Sequence, residues 1–116
     1  MLRAFLVLLL FASGPLLAAE NLSGRQVAFG LKVAQKGLWQ EARFRFERAV
    51  ELDPQNAAAL NNLAIALEQM GEFDKARQNY ERALALKPGD VYIQQNYDLF
   101  READDKRNRK ARRKRS

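Results

Sequence analysis

Residues 37–54 and 71–88 are one stretch written twice, 34 residues apart. Gly37/Gly71, Ala42/Ala76, Arg43/Arg77, Glu47/Glu81, Arg48/Arg82, Ala49/Ala83, Leu52/Leu86 and Pro54/Pro88 are identical, eight of the 18 positions. Trp39/Phe73, Phe46/Tyr80 and Val50/Leu84 exchange one bulky apolar residue for another. A chain that repeats at this period folds each copy into the same supersecondary unit and stacks the copies. That constrains the fold more tightly than any property of the 116 residues taken together.

The punctuation inside the repeat predicts helices. Ser23 with Gln26 three residues on has the spacing of a capping box, so a helix is expected from Ser23 to about Lys36. Gly37 ends it, because glycine accepts the left-handed conformation at a helix stop. A second helix is expected over about Trp39–Leu52 and stops at Asp53-Pro54, since the residue before proline is pushed out of helical geometry. Asn56 caps a third over Ala57–Met70, Gly71 turns the chain, and a fourth over Phe73–Leu86 ends at Lys87-Pro88. Gly89-Asp90 is a turn and cap, and a last helix starts at Val91. Ala42, Ala49, Ala76 and Ala83 allow close helix approach, and Trp39, Phe46, Phe73 and Tyr80 fill the space beside them. Ile93, Tyr97 and Phe100 form one apolar stripe at i, i+4, i+7.

These residues resemble the tetratricopeptide repeat (TPR) family, whose 34-residue helix–turn–helix carries W-x2-L-G-x2-Y, then A-x3-F, then P. The second unit reads Leu60-x2-Leu63-Ala64-x2-Leu67, Ala76-x3-Tyr80 and Pro88. The first reads Gln26-x2-Phe29-Gly30-x2-Val33, Ala42-x3-Phe46 and Pro54. Gln26 departs from the pattern, where a large apolar residue is usual. A third unit, Gln94-x2-Tyr97-Asp98-x2-Arg101, matches poorly and reads as a cap. The resemblance implies an all-α α-solenoid over residues 20–104: repeat 1 at about 23–56, repeat 2 at about 57–90, and a capping helix at about 91–104.

In this family the first helix of each pair lines a concave groove that binds an extended peptide or a partner's helix. Carried onto this chain, the lining is Val27, Ala28 and Leu31, then Ala58, Asn61, Asn62, Ile65 and Gln69, then Tyr92, Gln95, Asn96 and Leu99. Asn61 and Asn62 stand out, because asparagine is a weak helix former. A carboxamide carries donors and an acceptor and can pair with both polar groups of a peptide backbone. Val27 and Leu31 stand where some family members place basic residues that clamp a terminal carboxylate, so that mode is not expected. Two repeats and a cap fall short of the about three that an array needs alone, so the Val27–Val33 end is expected to dock on a partner protein or on a second copy.

Met1–Ala12 has a basic start at Arg3 and an unbroken apolar run, Ser13-Gly14-Pro15 breaks it, and Leu16–Ala19 offers small residues before Glu20. This is the order of a secretory signal over residues 1–19, cut after Ala19. The alternative is an uncleaved anchor over residues 4–19, although the run is shorter than the roughly 18–20 residues that span a bilayer. Retained, it would keep the N-terminus cytoplasmic. Both readings export residues 20–116, to a bacterial periplasm or beyond.

Residues 101–116 hold nine Lys or Arg and three acids, which is the whole net charge of +6. Residues 105–116 are expected to form a disordered basic tail, since they can bury no apolar surface. Lys106, Arg107, Arg109, Lys110, Arg112, Arg113, Lys114 and Arg115 could attract a polyanion such as an anionic membrane or an envelope polymer, at roughly 1 kcal/mol per cation near a charged surface. No aromatic is interleaved, which argues against nucleic acid as the ligand. This suggests a second function class: polyanion binding by the tail, with the repeats mediating oligomerisation.

The chain has no histidine and no cysteine. The commonest general base, the commonest metal ligand and thiolate sites are therefore absent. Ser13 and Ser23 have no histidine partner, and no glycine-rich phosphate loop occurs. Glu47, Glu51, Glu68, Glu72, Asp74 and Glu81 alternate with Arg and Lys at helical spacings, as on solvated faces. No catalysis, metal or cofactor is expected.

Overall fold

The computed structural model describes residues 2–116, with side chains described from Pro15 onward. Of the expected signal segment, residues 1–14 lie outside this side-chain description. The described residues form five helices and no strand: α1 (Leu2–Gln35), α2 (Trp39–Leu52), α3 (Ala57–Gln69), α4 (Phe73–Leu86) and α5 (Val91–Arg115). No helix among the described residues is long and apolar enough to cross a membrane.

The same turn chemistry is used twice. Gly37 and Gly71 have φ of 75° and 78°. After α1, the Gly37 N–H donates to Ala34 O at 2.9 Å and the Leu38 N–H to Val33 O at 3.0 Å. After α3, the Gly71 N–H donates to Glu68 O at 3.0 Å and the Glu72 N–H to Leu67 O at 2.9 Å. Both pairs satisfy carbonyls that a helix end leaves orphaned. Asp53 and Lys87, each before a proline, leave helical geometry at φ of −144° and −135°. Asn56 and Asp90 then cap α3 and α5, their side-chain oxygens accepting from the N–H of Ala59 and Ile93 at 3.0 Å.

Each helix packs on the next, and α1–α3 and α3–α5 also touch, whereas α2 and α4 do not. The layer whose helices meet lies inside the curve, so α1, α3 and α5 form the concave face. Ala42, Ala49, Ala76 and Ala83 are fully buried between the layers, with Phe46 and Tyr80 beside them. The repeated arginine ties each unit to the next one along the chain. Arg43 pairs with Glu47 and with Glu72 at the start of α4. Its counterpart Arg77 pairs with Asp104 on α5.

The array stops at α5 for a legible reason. Leu60, Ala64 and Leu67 of α3 are buried, and their counterparts one repeat on are Gln94, Asp98 and Arg101, none of them buried. The inner stripe of α5 is kept. Ile93 and Phe100 are buried, and Tyr97 and Phe100 lie against the Tyr80 ring at centroid distances of 5.8 and 5.4 Å. The helix is apolar where it meets α4 and polar where a third unit would dock.

Two expectations are corrected. Ser23 is not a helix cap, because α1 runs continuously through it from the leucine- and alanine-rich segment before it. Its buried hydroxyl instead donates to Ala49 O at 2.8 Å and accepts from Asn56 Nδ2 at 2.9 Å, joining α1 to the end of α2 and the cap of α3. Residues 105–116 are not a disordered tail but a helical arm, since α5 extends to Arg115. The arm grows from a packed helix, so it bears no nucleation cost. Lys, Arg and Ala are good helix formers, and cations suit a helix C-terminus. Its base is fixed: Asp104 is buried between Arg77 and Arg107, and the Arg107 guanidinium lies 3.5 Å from the centre of the Phe73 ring.

Candidate protein-binding groove

The concave face carries a depression of about 220 Å³ where α1, α3 and α5 meet. Leu31, Asn62, Ile65 and Tyr92 line it, four residues expected in the groove, one or two from each of its helices. Ala34, Gln35, Trp39 and Phe46 complete the lining. Trp39 and Phe46 fill space between the helices, as the repeat pattern implied. That they also line the depression depends on how far the α1–α3 seam opens, which periodicity does not encode.

No charged residue lines this depression. Its volume is below the roughly 300–1,000 Å³ of small-molecule pockets. It suits one apolar side chain. Asn62 is half-buried and lines it, and its carboxamide carries the donors and the acceptor that a peptide backbone can pair with. Tyr92 and Leu99 on α5 are 64% and 67% exposed. These are large apolar surfaces that nothing among the described residues covers.

The other expected lining residues divide. Val27 and Asn96 are half-buried, and Ala28, Ala58 and Gln95 are exposed, beside the depression rather than in it. Gln69 lies elsewhere, in a wider hollow with Leu38, Trp39, Phe44 and Met70 at the α1–α2 and α3–α4 turns. Asn61 is 1% exposed and cannot meet a partner. Its Oδ1 accepts from Asn96 Nδ2 at 3.3 Å, so it braces α3 against α5. At the Val27–Val33 end, Val33 is buried while Phe29 and Leu31 are exposed. The Arg45 guanidinium covers part of Phe29 at 4.2 Å.

Tyrosine hydroxyls fix the helices behind the groove. The Tyr80 hydroxyl donates to Glu68 at 3.0 Å, and that of Tyr97 to Glu81 at 2.9 Å. Burial first, then the neighbouring carboxylate, raises both phenols above their ordinary value. The hydrogen bond to Glu47 holds the Arg43 guanidinium above its ordinary value. Among the described residues no cluster of acids, Cys or His could hold a metal ion.

Comparison with protein families agrees with this geometry. A family described as "Tetratricopeptide repeat" matches residues 57–90, and one described as "TPR repeat" matches residues 30–71. Together they cover just over half of the chain. The chain belongs to the tetratricopeptide repeat family. No curated protein matches it. TPR repeats generally mediate protein–protein interaction and are generally non-catalytic. In this TPR protein the two matched regions place Leu31, Asn62 and Ile65 on the first helices of successive units, with Tyr92 on the capping helix α5.

Proposed function

We propose that this TPR protein is a non-enzymatic adaptor or scaffold of the cell envelope, holding a segment of one partner protein on its concave face. The observation that carries this reading is the uncharged depression lined by Leu31, Ile65, Tyr92 and Asn62. The apolar parts supply affinity, and the carboxamide supplies backbone pairing and register. The envelope location rests on the order of charged, apolar, breaking and small residues over 1–19.

A crosslinking pull-down from cells expressing the full chain tests the groove. Ile65→Glu should abolish capture of the partner and Asn62→Ala should weaken it. Capture unchanged in both variants refutes the groove. Sequencing the N-terminus of the mature chain tests export by the signal route, with Glu20 as the expected first residue.

The helical order of the basic arm favours one second reading, polyanion binding by the arm with the repeats serving only to oligomerise it. Binding of that kind should collapse between low and moderate salt. Capture that survives Ile65→Glu but is lost on deleting residues 106–116 would replace the adaptor reading with this one.

A further inference from the structure

The arm and the groove share a face. Residues 92, 96, 99, 103, 106, 110 and 113 step along α5 by alternating four and three, so they lie on one side of the helix. The face begins with Tyr92, which lines the depression, continues through Asn96 and Leu99 outside its lining, and ends with Lys106, Lys110 and Arg113. Lys106, Arg109, Lys110 and Arg113 stand together on one exposed side of the arm. Lys106 pairs with Glu102 on the same exposed helix surface at 3.2 Å; beyond Arg107 none of the arm's cations forms an ion pair among the described residues, and the arm's base is locked to α4 through Asp104.

We propose that the partner segment is bipartite: one bulky apolar residue seats between Leu31, Ile65 and Tyr92, and an acidic run lies along Lys106, Lys110 and Arg113. This rests on the groove reading above and names the chemistry of its partner. Tyr92 and Lys106 are 14 residues apart on one helix, about 21 Å at a rise of about 1.5 Å per residue. An extended chain spans that in about six residues. The acidic run therefore begins about six residues from the apolar anchor. Three features select a peptide over a lipid surface. The cationic face continues the groove, so the ligand reaching it is the one the groove holds. The arm has no apolar side chain larger than Ala111 to enter a bilayer. Its exposed cations can pair with carboxylates without desolvating anything buried.

The test is fluorescence anisotropy of the full chain with labelled synthetic peptides. One carries a Leu or Phe anchor, a Gly/Ser spacer of about six residues and a Glu run. The others replace Glu by Gln, or the anchor by Ser. At low salt the Glu peptide should bind roughly tenfold more tightly than the Gln peptide, from a few exposed charge pairs. That gap should close in Lys106→Gln/Lys110→Gln/Arg113→Gln, and Ile65→Glu should remove binding of both. Equal affinity for the Glu and Gln peptides overturns the bipartite partner and leaves the groove standing. Binding of the anchorless peptide as tightly as the full one, or its displacement by phosphatidylglycerol vesicles, overturns it in favour of a general polyanion site. No binding by any peptide overturns the groove reading as well.

Discussion

Gly30→Ala sets two effects of known sign against each other. Gly30 is inside α1, where alanine is favoured over glycine by about 1 kcal/mol. A Cβ built there would stand 2.5 Å from Phe46 Cε1, 2.8 Å from Cδ1 and 3.0 Å from Cζ. Carbon atoms sit well at about 3.5–4.0 Å, so the ring has to retreat by roughly 1 Å. Phe46 is 2% exposed and packed in the main core cluster, and only the part of it that borders the concave depression has space beside it. Overpacking of this kind costs about 1–3 kcal/mol, and the propensity gain offsets about 1 of it.

The expected net is a loss of about 1 kcal/mol, or a fall in Tm of about 4–8 °C for a domain of this size. Thermal unfolding followed by helical circular dichroism reads it directly. Phe46→Leu in the Gly30→Ala background should recover part of the loss, although Phe46→Leu alone should destabilise. That non-additivity is the signature of direct contact. A Gly30→Ala protein as stable as the parent, or more stable, would refute the reasoning, because propensity alone would then decide the position.

Asp104→Ala removes the carboxylate shared by Arg77 and Arg107. Both arginines are more than a third exposed, so the loss should be nearer about 1–2 kcal/mol than the larger cost of breaking a fully buried pair. Hydrogen exchange should show faster opening over residues 101–115, while α2 and α3 keep their protection. Tyr80→Phe should flatten the alkaline limb of stability. The folded phenol is raised above the ordinary 10.0 by burial and Glu68. Its contribution is therefore complete below that pH and is lost as pH rises from there through the folded value, by up to about 1.4 kcal/mol per unit. The variant minus parent difference in urea midpoint between about pH 9 and 11, spanning the ordinary phenol value, measures it. Asn61→Ala should cost about 1–3 kcal/mol for a buried polar group and its partner, with partner capture retained at permissive temperature. Asn62→Ala should do the reverse.

The frame of this chain was readable because its turns carry their own chemistry. Gly37, Gly71, Asp53-Pro54, Lys87-Pro88, Asn56 and Asp90 each act locally, and each marks a helix boundary. The faces of α3 were harder. Its residues 57, 59, 60, 61, 63, 64, 66 and 67 are all buried, because the helix is packed by α2, α4, α1 and α5. A helix covered on most sides has no single stripe, so periodicity could not tell that Asn61 faces inward and Asn62 outward. Ser23 misled for another reason. Capping-box spacing signals a helix start only where the preceding chain is not already helical, and Leu16–Ala19 favours helix. Composition described the arm as though it were free. Asp104 and Phe73 fix its base, and no property of residues 105–116 alone could show that.

The width of the array bears on what it can hold. The concave face is three helices across, with one uncharged depression of about 220 Å³ whose lining includes Asn62. Filling it with a Leu- or Phe-sized side chain contributes about 1.5–3 kcal/mol. Backbone pairing adds about 0.5–1.5 kcal/mol per net hydrogen bond. Lost translational and rotational freedom costs about 4 kcal/mol or more, so these two contributions alone leave a weak complex. A third attachment on the same rigid helix needs no new association step, and its benefit adds as an intramolecular event. α5 provides that by continuing the groove's own face into Lys106, Lys110 and Arg113, and its polar outer side shows that the helix is not spent on supporting another repeat. The short array and the long basic helix are two parts of one arrangement. On the bipartite partner proposed above, the repeats would set the register of its segment and the arm would lengthen the contact.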